Sequence, residues 1–192
     1  MKKLFLVLVC ASSVIAAGAQ VRFGVKLGAN MASMTDADGL KSKFGINGGV
    51  QAQLPLSSMF SVAPEAVYSS QGAKADEGDG QINLNYINVP VLLQYNNPSG
   101  FFAHTGPQIG FLMSAKVKEG GEEADYKDFV NSTDFSWAIG AGFATQSGFG
   151  FNARYNIGLS KIAKEDGAGS SKNSVIQFGV FYNFGGGASE KK

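Results

Sequence analysis

The chain has 192 residues, with 16 Lys and Arg against 15 Asp and Glu, one histidine and one cysteine. That near-balance of charge offers no electrostatic footprint for nucleic acid, and a lone cysteine excludes an internal disulfide framework and thiolate metal clusters. Glycine is abundant at 26 residues while proline is scarce at 5, which excludes the Gly/Pro low-complexity composition of a disordered chain.

The first segment reads as an export signal. Lys2 and Lys3 make a positive start, Leu4 to Ala17 is an apolar run, and Ala17-Gly18-Ala19 is a small-residue cleavage site. Residues 1–19 are therefore expected to be removed, so that the mature chain starts at Gln20 with 14 basic and 15 acidic residues. Cys10 leaves with the signal. It follows bulky Val9 and has too few residues upstream for a lipoprotein signal, so it reads as apolar filler. After the signal no apolar run is long enough for a membrane helix. Mean hydropathy is zero, which barrel strands also give, because they alternate apolar and polar residues.

Period-two alternation then runs from Val21 to Phe184. The first strand, from Val21, sets Val21, Phe23, Val25, Leu27, Ala29 and Met31 against Arg22, Gly24, Lys26, Gly28 and Asn30. The second, about 45–54, sets Ile46, Val50, Ala52 and Leu54 against Asn47, Gly49, Gln51 and Gln53. The third, about 60–70, sets Phe60, Val62, Ala66 and Tyr68 against Ala63, Glu65 and Ser69. The fourth, about 84–95, sets Ile87, Val89, Val91, Leu93 and Tyr95 against Asn88, Pro90 and Gln94. The fifth, about 101–117, sets Phe101, Ala103, Thr105, Ile109, Phe111 and Met113 against His104, Gly106, Gln108, Gly110, Ser114 and Lys116. The sixth and seventh, about 135–146 and 149–159, carry Phe135, Trp137, Ile139, Phe151, Tyr155 and Ile157 on one face and Ser136, Gly140, Asn152, Arg154 and Asn156 on the other. The eighth, about 175–184, sets Phe178, Val180, Tyr182 and Phe184 against Gln177, Gly179 and Asn183.

Eight strands is an even number, and the connections alternate in length. Short turns fall near residues 55–58, 96–100 and 147–148, and long polar loops near 32–43, 71–81, 118–134 and 160–173. A lipocalin-like soluble barrel keeps its apolar face inside. Here one face is Gly, Asn, Gln and Ser, too small and polar for a dry core, and the other is too continuously apolar for a solvated wall. The expected fold is all-β: an eight-stranded antiparallel up-and-down transmembrane β-barrel over residues 20–184, with both termini on the short-turn, periplasmic side and a flexible tail at 185–192.

Particular segments sharpen this reading. Phe23-Gly-Val-Lys-Leu-Gly-Ala-Asn30, residues 64–74 (Pro64-Glu-Ala-Val-Tyr-Ser-Ser-Gln-Gly-Ala-Lys74), Leu84-Asn-Tyr-Ile-Asn-Val-Pro-Val-Leu-Leu-Gln94, Gly106-Pro-Gln-Ile-Gly-Phe-Leu112 and Ala153-Arg-Tyr-Asn-Ile-Gly-Leu159 together resemble the PorT-like family of small outer-membrane barrels, also called the porin family. The resemblance spans nearly the whole mature chain. It implies the fold and the outer membrane, and it brings no catalytic motif. The last strand, with Gln177, Gly179, Tyr182 and Phe184 as polar-x-Gly-x-x-aromatic-x-aromatic, resembles the closing-strand signal read by the outer-membrane assembly machinery. It departs from that signal in that residues 185–192 follow it.

The inward face carries Arg22, Lys26, Glu65, His104, Lys116 and Arg154. Eight strands leave an interior just wide enough for side chains to fill, so these charges are expected to pair in an interior polar network. His104, the single histidine, could serve a Ser–His lipid-modifying enzyme. However, alternation aims it inward, near a short turn, which favours a hydrogen-bonding role. The acidic stretches 36–39, 76–80 and 122–125 lack a complete calcium loop and read as solvated tips. No catalytic residue, cofactor or metal is expected. The expected function is that of a structural or interaction barrel with a side-chain-filled interior and extracellular loops. Its partners would be outer-membrane lipid, the assembly machinery and an envelope protein of unspecified identity. A narrow porin-like channel is the alternative, ahead of an envelope enzyme.

Overall fold

The computed structural model describes residues 21–35, 39–164 and 171–184. The expected signal at 1–19 and tail at 185–192 lie outside the described residues, as do Asp36 and Asp38. Among the described residues the strands are β1 (Arg22–Thr35), β2 (Leu40–Pro55), β3 (Phe60–Ala75), β4 (Gln81–Asn96), β5 (Phe101–Glu119), β6 (Glu122–Asp125), β7 (Thr133–Ala144), β8 (Phe149–Gly158) and β9 (Lys172–Asn183), with one 3-10 turn at Lys127–Phe129. All pairings are antiparallel. β1 pairs with β2 and β9, and β5 with β4 and β7, so eight strands close into a ring. β6 adds a short hairpin on the far end of β5. Closure gives the main-chain groups of the wall a partner on each side, the condition for a sheet to sit in hydrocarbon. No described helix is long and apolar enough to cross a membrane, which says nothing of strands.

The two faces follow the alternation. Leu27, Ile46, Val91, Phe111, Ile139, Phe151 and Phe178 point out and are about half exposed. Asn30, Leu92, Gln108 and Asn156 point in and are buried. Polar atoms on the outer face are satisfied locally: Trp137 Nε1 donates to Thr105 Oγ1 at 2.8 Å, and that hydroxyl donates to the Ala138 carbonyl at 3.0 Å. Aromatic side chains gather near the short-turn end. Phe60 and Tyr95 lie 5.5 Å apart, and Tyr182 and Phe184 meet edge to edge-on face at 5.4 Å. Such belts suit a membrane interface.

The structure corrects the sequence reading in two places. The expected long loops at 32–43 and 71–81 are mostly strand. β1 runs to Thr35, β2 starts at Leu40, β3 runs to Ala75 and β4 starts at Gln81. These hairpins continue the ladder beyond the apolar band, where polar side chains on both faces are compatible with water. β8, at 10 residues, is about the length that a tilted strand needs to span a bilayer. The second correction is Lys116. Pairing of Asn85 with Ser114 is followed by Tyr86 with Leu112, so Met113 is a bulge residue. One extra residue reverses the alternation. Ala115 takes the buried place, while Lys116 turns outward and pairs with exposed Glu123.

Candidate functional site

Four strands send a charged or titratable side chain to one level of the interior: Lys26 from β1, Glu65 from β3, His104 from β5 and Arg154 from β8. Arg154 grips Glu65 with two parallel bonds, Nη1 to Oε2 at 2.9 Å and Nη2 to Oε1 at 2.7 Å. Lys26 Nζ donates to Glu65 Oε2 at 2.9 Å. Arg154 Nε donates to His104 Nε2 at 3.1 Å. An imidazole nitrogen that accepts from a guanidinium carries no proton, so the ring is neutral with its proton on Nδ1. Glu65 is 7% exposed and Arg154 3% exposed. Such a pair is held by its geometry: a bidentate clamp offsets the desolvation of both ions, whereas either ion alone would be strongly destabilising.

Glycine makes the room. A Cβ on Gly140 would stand 2.5 Å from His104 Nε2, and one on Gly142 would stand 2.5 Å from Phe102 Cζ. The inward rings of β5 therefore lie over a bare backbone on β7. His104 stacks on Phe102 at 5.7 Å, and Phe102 meets Phe181 at 5.8 Å.

Arg22 does not join this cluster. It shares the inward side of β1 with Lys26 but lies two repeats of the pleat nearer the short-turn mouth, where it is exposed and pairs with no acid among the described residues. In the closing strand, Gln177 Nε2 donates inward to Asn30 Oδ1 at 3.1 Å, and Gly179 stands against Gly28 of β1. Tyr182 and Phe184 point outward.

The interior is not uniform along its axis. On the long-loop side of the cluster, Asn47 bonds Asn30 at 2.7 Å, Asn30 bonds Ser69 at 2.9 Å, Gln108 bonds Ser136 at 2.9 Å, and Asn173 bonds Gln71. Beyond them comes an apolar cap of Leu84, Tyr86, Leu112 and Ala115 with Val130 and Ile162. The last two come from the two longest connections, which are stitched together over the opening. Asn131 N donates to the Ile162 carbonyl at 2.8 Å, and Asn131 Nδ2 donates to the carbonyls of Lys161 and Ala163 at 2.9 and 3.0 Å. Sequence reasoning missed this cap. Its signal was two apolar residues, Val130 and Ile162, isolated in polar loops. On the short-turn side, by contrast, a cavity of about 840 Å³ opens to solvent and ends at the charged cluster. The expectation of a filled interior thus holds for the middle and the long-loop end only. Among the described residues no group of three acidic, His or Cys side chains is placed to hold a metal.

Comparison with known proteins gives a consistent answer. The chain matches the outer membrane protein beta-barrel domain over residues 15–164. Comparison with curated proteins gave no match. Among solved structures, Neisserial surface protein A (NspA) is similar at 17% identity and a TM-score of 0.57, over 84% of this chain and 97% of that one. Ail, the attachment invasion locus protein of Yersinia pestis, is similar at 17% identity and a TM-score of 0.53, over 85% and 98%. Ail in complex with the heparin analogue sucrose octasulfate gives 15% identity and a TM-score of 0.52, over 85% and 99%. At such identities the likeness is one of fold. With the family match spanning most of the chain, and a closed ring of eight strands that is apolar outside and polar inside, the protein belongs to the outer membrane protein beta-barrel domain family and is a small integral barrel of the outer membrane.

Proposed function

We propose that this barrel is a structural or interaction protein that acts through its long-loop end and has no enzymatic role. The observation that carries the reading is the order of that end. The β5–β6 hairpin, the 3-10 turn and the residue 159–164 segment are bonded to one another over an apolar cap, instead of leaving an open mouth. The 3-10 turn and the residue before it present Tyr126 and Phe129, stacked at 5.0 Å and both exposed. Rigid aromatic side chains bury large area at low entropic cost, which suits a contact surface. His104 is occupied by Arg154 and lies on the far side of the cap from these loops.

In this reading the signal at 1–19 is cleaved, the barrel begins at Gln20, the short turns and both termini are periplasmic, and the long loops face outward. Within the family we assign the chain to the PorT-like barrels, on the segments that carry Tyr86-Ile-Asn-Val-Pro-Val-Leu92 and its neighbours. Gln177, Gly179, Tyr182 and Phe184 serve as the closing-strand signal for the assembly machinery. The outward aromatic pair and the small Gly179 suit a strand that must meet β1 last. The ligand of the loops is a partner in the envelope or beyond it.

The test is an epitope inserted either between Gly120 and Gly121 or after Asn97. The first is expected to stain on intact cells, and the second only after permeabilisation. The reverse pattern would overturn the orientation. Co-purification of the intact barrel in mild detergent, with and without Tyr126→Ser and Phe129→Ser together, tests the contact surface. Identical neighbours from both preparations would count against it.

A further inference from the structure

The cavity at the short-turn end is unevenly charged. Among the described residues its lining includes three cations, Arg22, Lys26 and Arg154, and a single acid, Glu65. The carboxylate is already satisfied by Arg154 and Lys26, so the buried cluster carries one positive charge in excess, and Arg22 adds a second at the mouth. Unused donors accompany the excess charge. Lys26 uses one of its three N–H groups on Glu65, and Arg154 uses three of its five, two on Glu65 and one on His104. The wall around them is backed by hydrocarbon, where an uncompensated charge is costly. A further polar group lies close by: Asn152 lines the same cavity, and its buried Oδ1 has no donor among the described residues.

We propose that this cavity is a binding site for a small organic anion, a carboxylate or a phosphate monoester, whose charged head sits on Lys26 and Arg154. Arg22 at the mouth attracts the anion. The spare N–H groups of Lys26 and Arg154 bind it by charge-assisted bonds, and a ligand hydroxyl donates to Asn152 once that side chain turns from its buried position into the cavity. The edge-to-face rings of Phe102 and Phe181 give the ligand an apolar side to lie on. The cavity is blind at the cluster, so the barrel holds the anion and does not pass it. That the anion comes from the periplasm rests on the orientation proposed above, and binding itself does not.

The experiment uses the full mature chain refolded in zwitterionic detergent at low ionic strength, titrated calorimetrically with inorganic phosphate and, separately, with succinate. Saturable binding of one or both is expected, and the ratio of the two affinities identifies the favoured head group. Lys26→Met leaves Glu65 and Arg154 as a neutral pair and is expected to weaken binding about tenfold, the equivalent of one charge-assisted bond. Arg22→Gln, at the exposed mouth where folding is not at stake, is expected to weaken it about two- to threefold. Lys164→Gln at the opposite end is expected to leave it unchanged. Absence of saturable binding by the unaltered barrel, or equal affinity in Lys26→Met and Arg22→Gln, would overturn the proposal. So would loss of binding in Lys164→Gln, since that marks surface association only.

Discussion

The two ends of the barrel share one wall and one alternation, yet one is closed and the other hollow. At the long-loop end the inward residues are Leu84, Tyr86, Leu112 and Ala115, and loop residues Val130 and Ile162 complete a dry cap. At the short-turn end Phe102 and Phe181 share the inner side with amides and hydroxyls that bond to one another along the wall. Gln53 reaches Asn96 at 3.0 Å, Gln94 reaches Asn96 at 2.7 Å, Asn96 reaches Ser61 at 3.0 Å, and Gln51 reaches Asn183 at 2.7 Å. Side chains that satisfy each other along the wall, within a strand or between strands, have no need to cross the lumen. Strand number therefore sets the width of a barrel, but the direction in which its polar side chains find partners decides whether that width is filled.

The boundary between the ends is the Glu65 cluster, and removing its acid should have the largest effect. Glu65→Gln leaves Lys26 and Arg154 buried without a counter-charge. It is expected to cost about 3–5 kcal/mol in urea unfolding of the barrel in vesicles, followed by Trp137 fluorescence. A loss below about 1 kcal/mol would mean that the cluster does not hold the two halves together. The outer wall comes next. Ile139→Arg is expected to lower stability by about 2–4 kcal/mol and to depress folding yield, whereas Thr133→Arg beside the loop leaves it near normal. Equal yields would break the assigned alternation. Ile162→Ala thins the cap and is expected to cost about 2 kcal/mol, since a loop residue can partly collapse into the gap. The Glu65 cluster and its amide neighbours still block the lumen, so both this variant and the unaltered barrel are expected to be silent in planar bilayers. Stable conductance steps from the unaltered protein would promote the channel reading. The smallest effect belongs to the exposed pair Lys41–Asp76, at 3.2 Å: Lys41→Ala is expected to change stability by less than about 1 kcal/mol.

Much of the wall could be read from the sequence because hydrocarbon outside and amides inside impose a strict period of two. Val91, Phe111 and Ile139 face out and Leu92 and Gln108 face in on that ground alone. The same rule places Glu65 and Arg154 on the inner face, but it says nothing of height. They are 89 residues apart, and only the stagger of the strands brings Arg154 and Lys26, rather than Arg22, to Glu65. Lys116 shows where the rule fails. A single unpaired residue, Met113, reverses the face of everything after it, and period-two counting cannot see a bulge. The loops were the least legible. β6 and the bridge between Val130 and Ala163 depend on contacts between connections that share no periodicity.

Ring closure has a consequence for the time course of assembly. β1 pairs with β9 in the register Gly24 with Asn183 through Thr35 with Lys172, and Phe184 N donates to the Phe23 carbonyl at 2.6 Å. The seam thus joins the first and last described strands. Any chain that lacks its final strand presents two open edges, each a template for pairing with another copy. Such a chain gains no partial credit from the contacts already made, because the most sequence-distant pairing is the one that removes both edges at once. Delivery of the complete chain should therefore precede closure, and a nascent or truncated barrel should be more prone to aggregate than to wait.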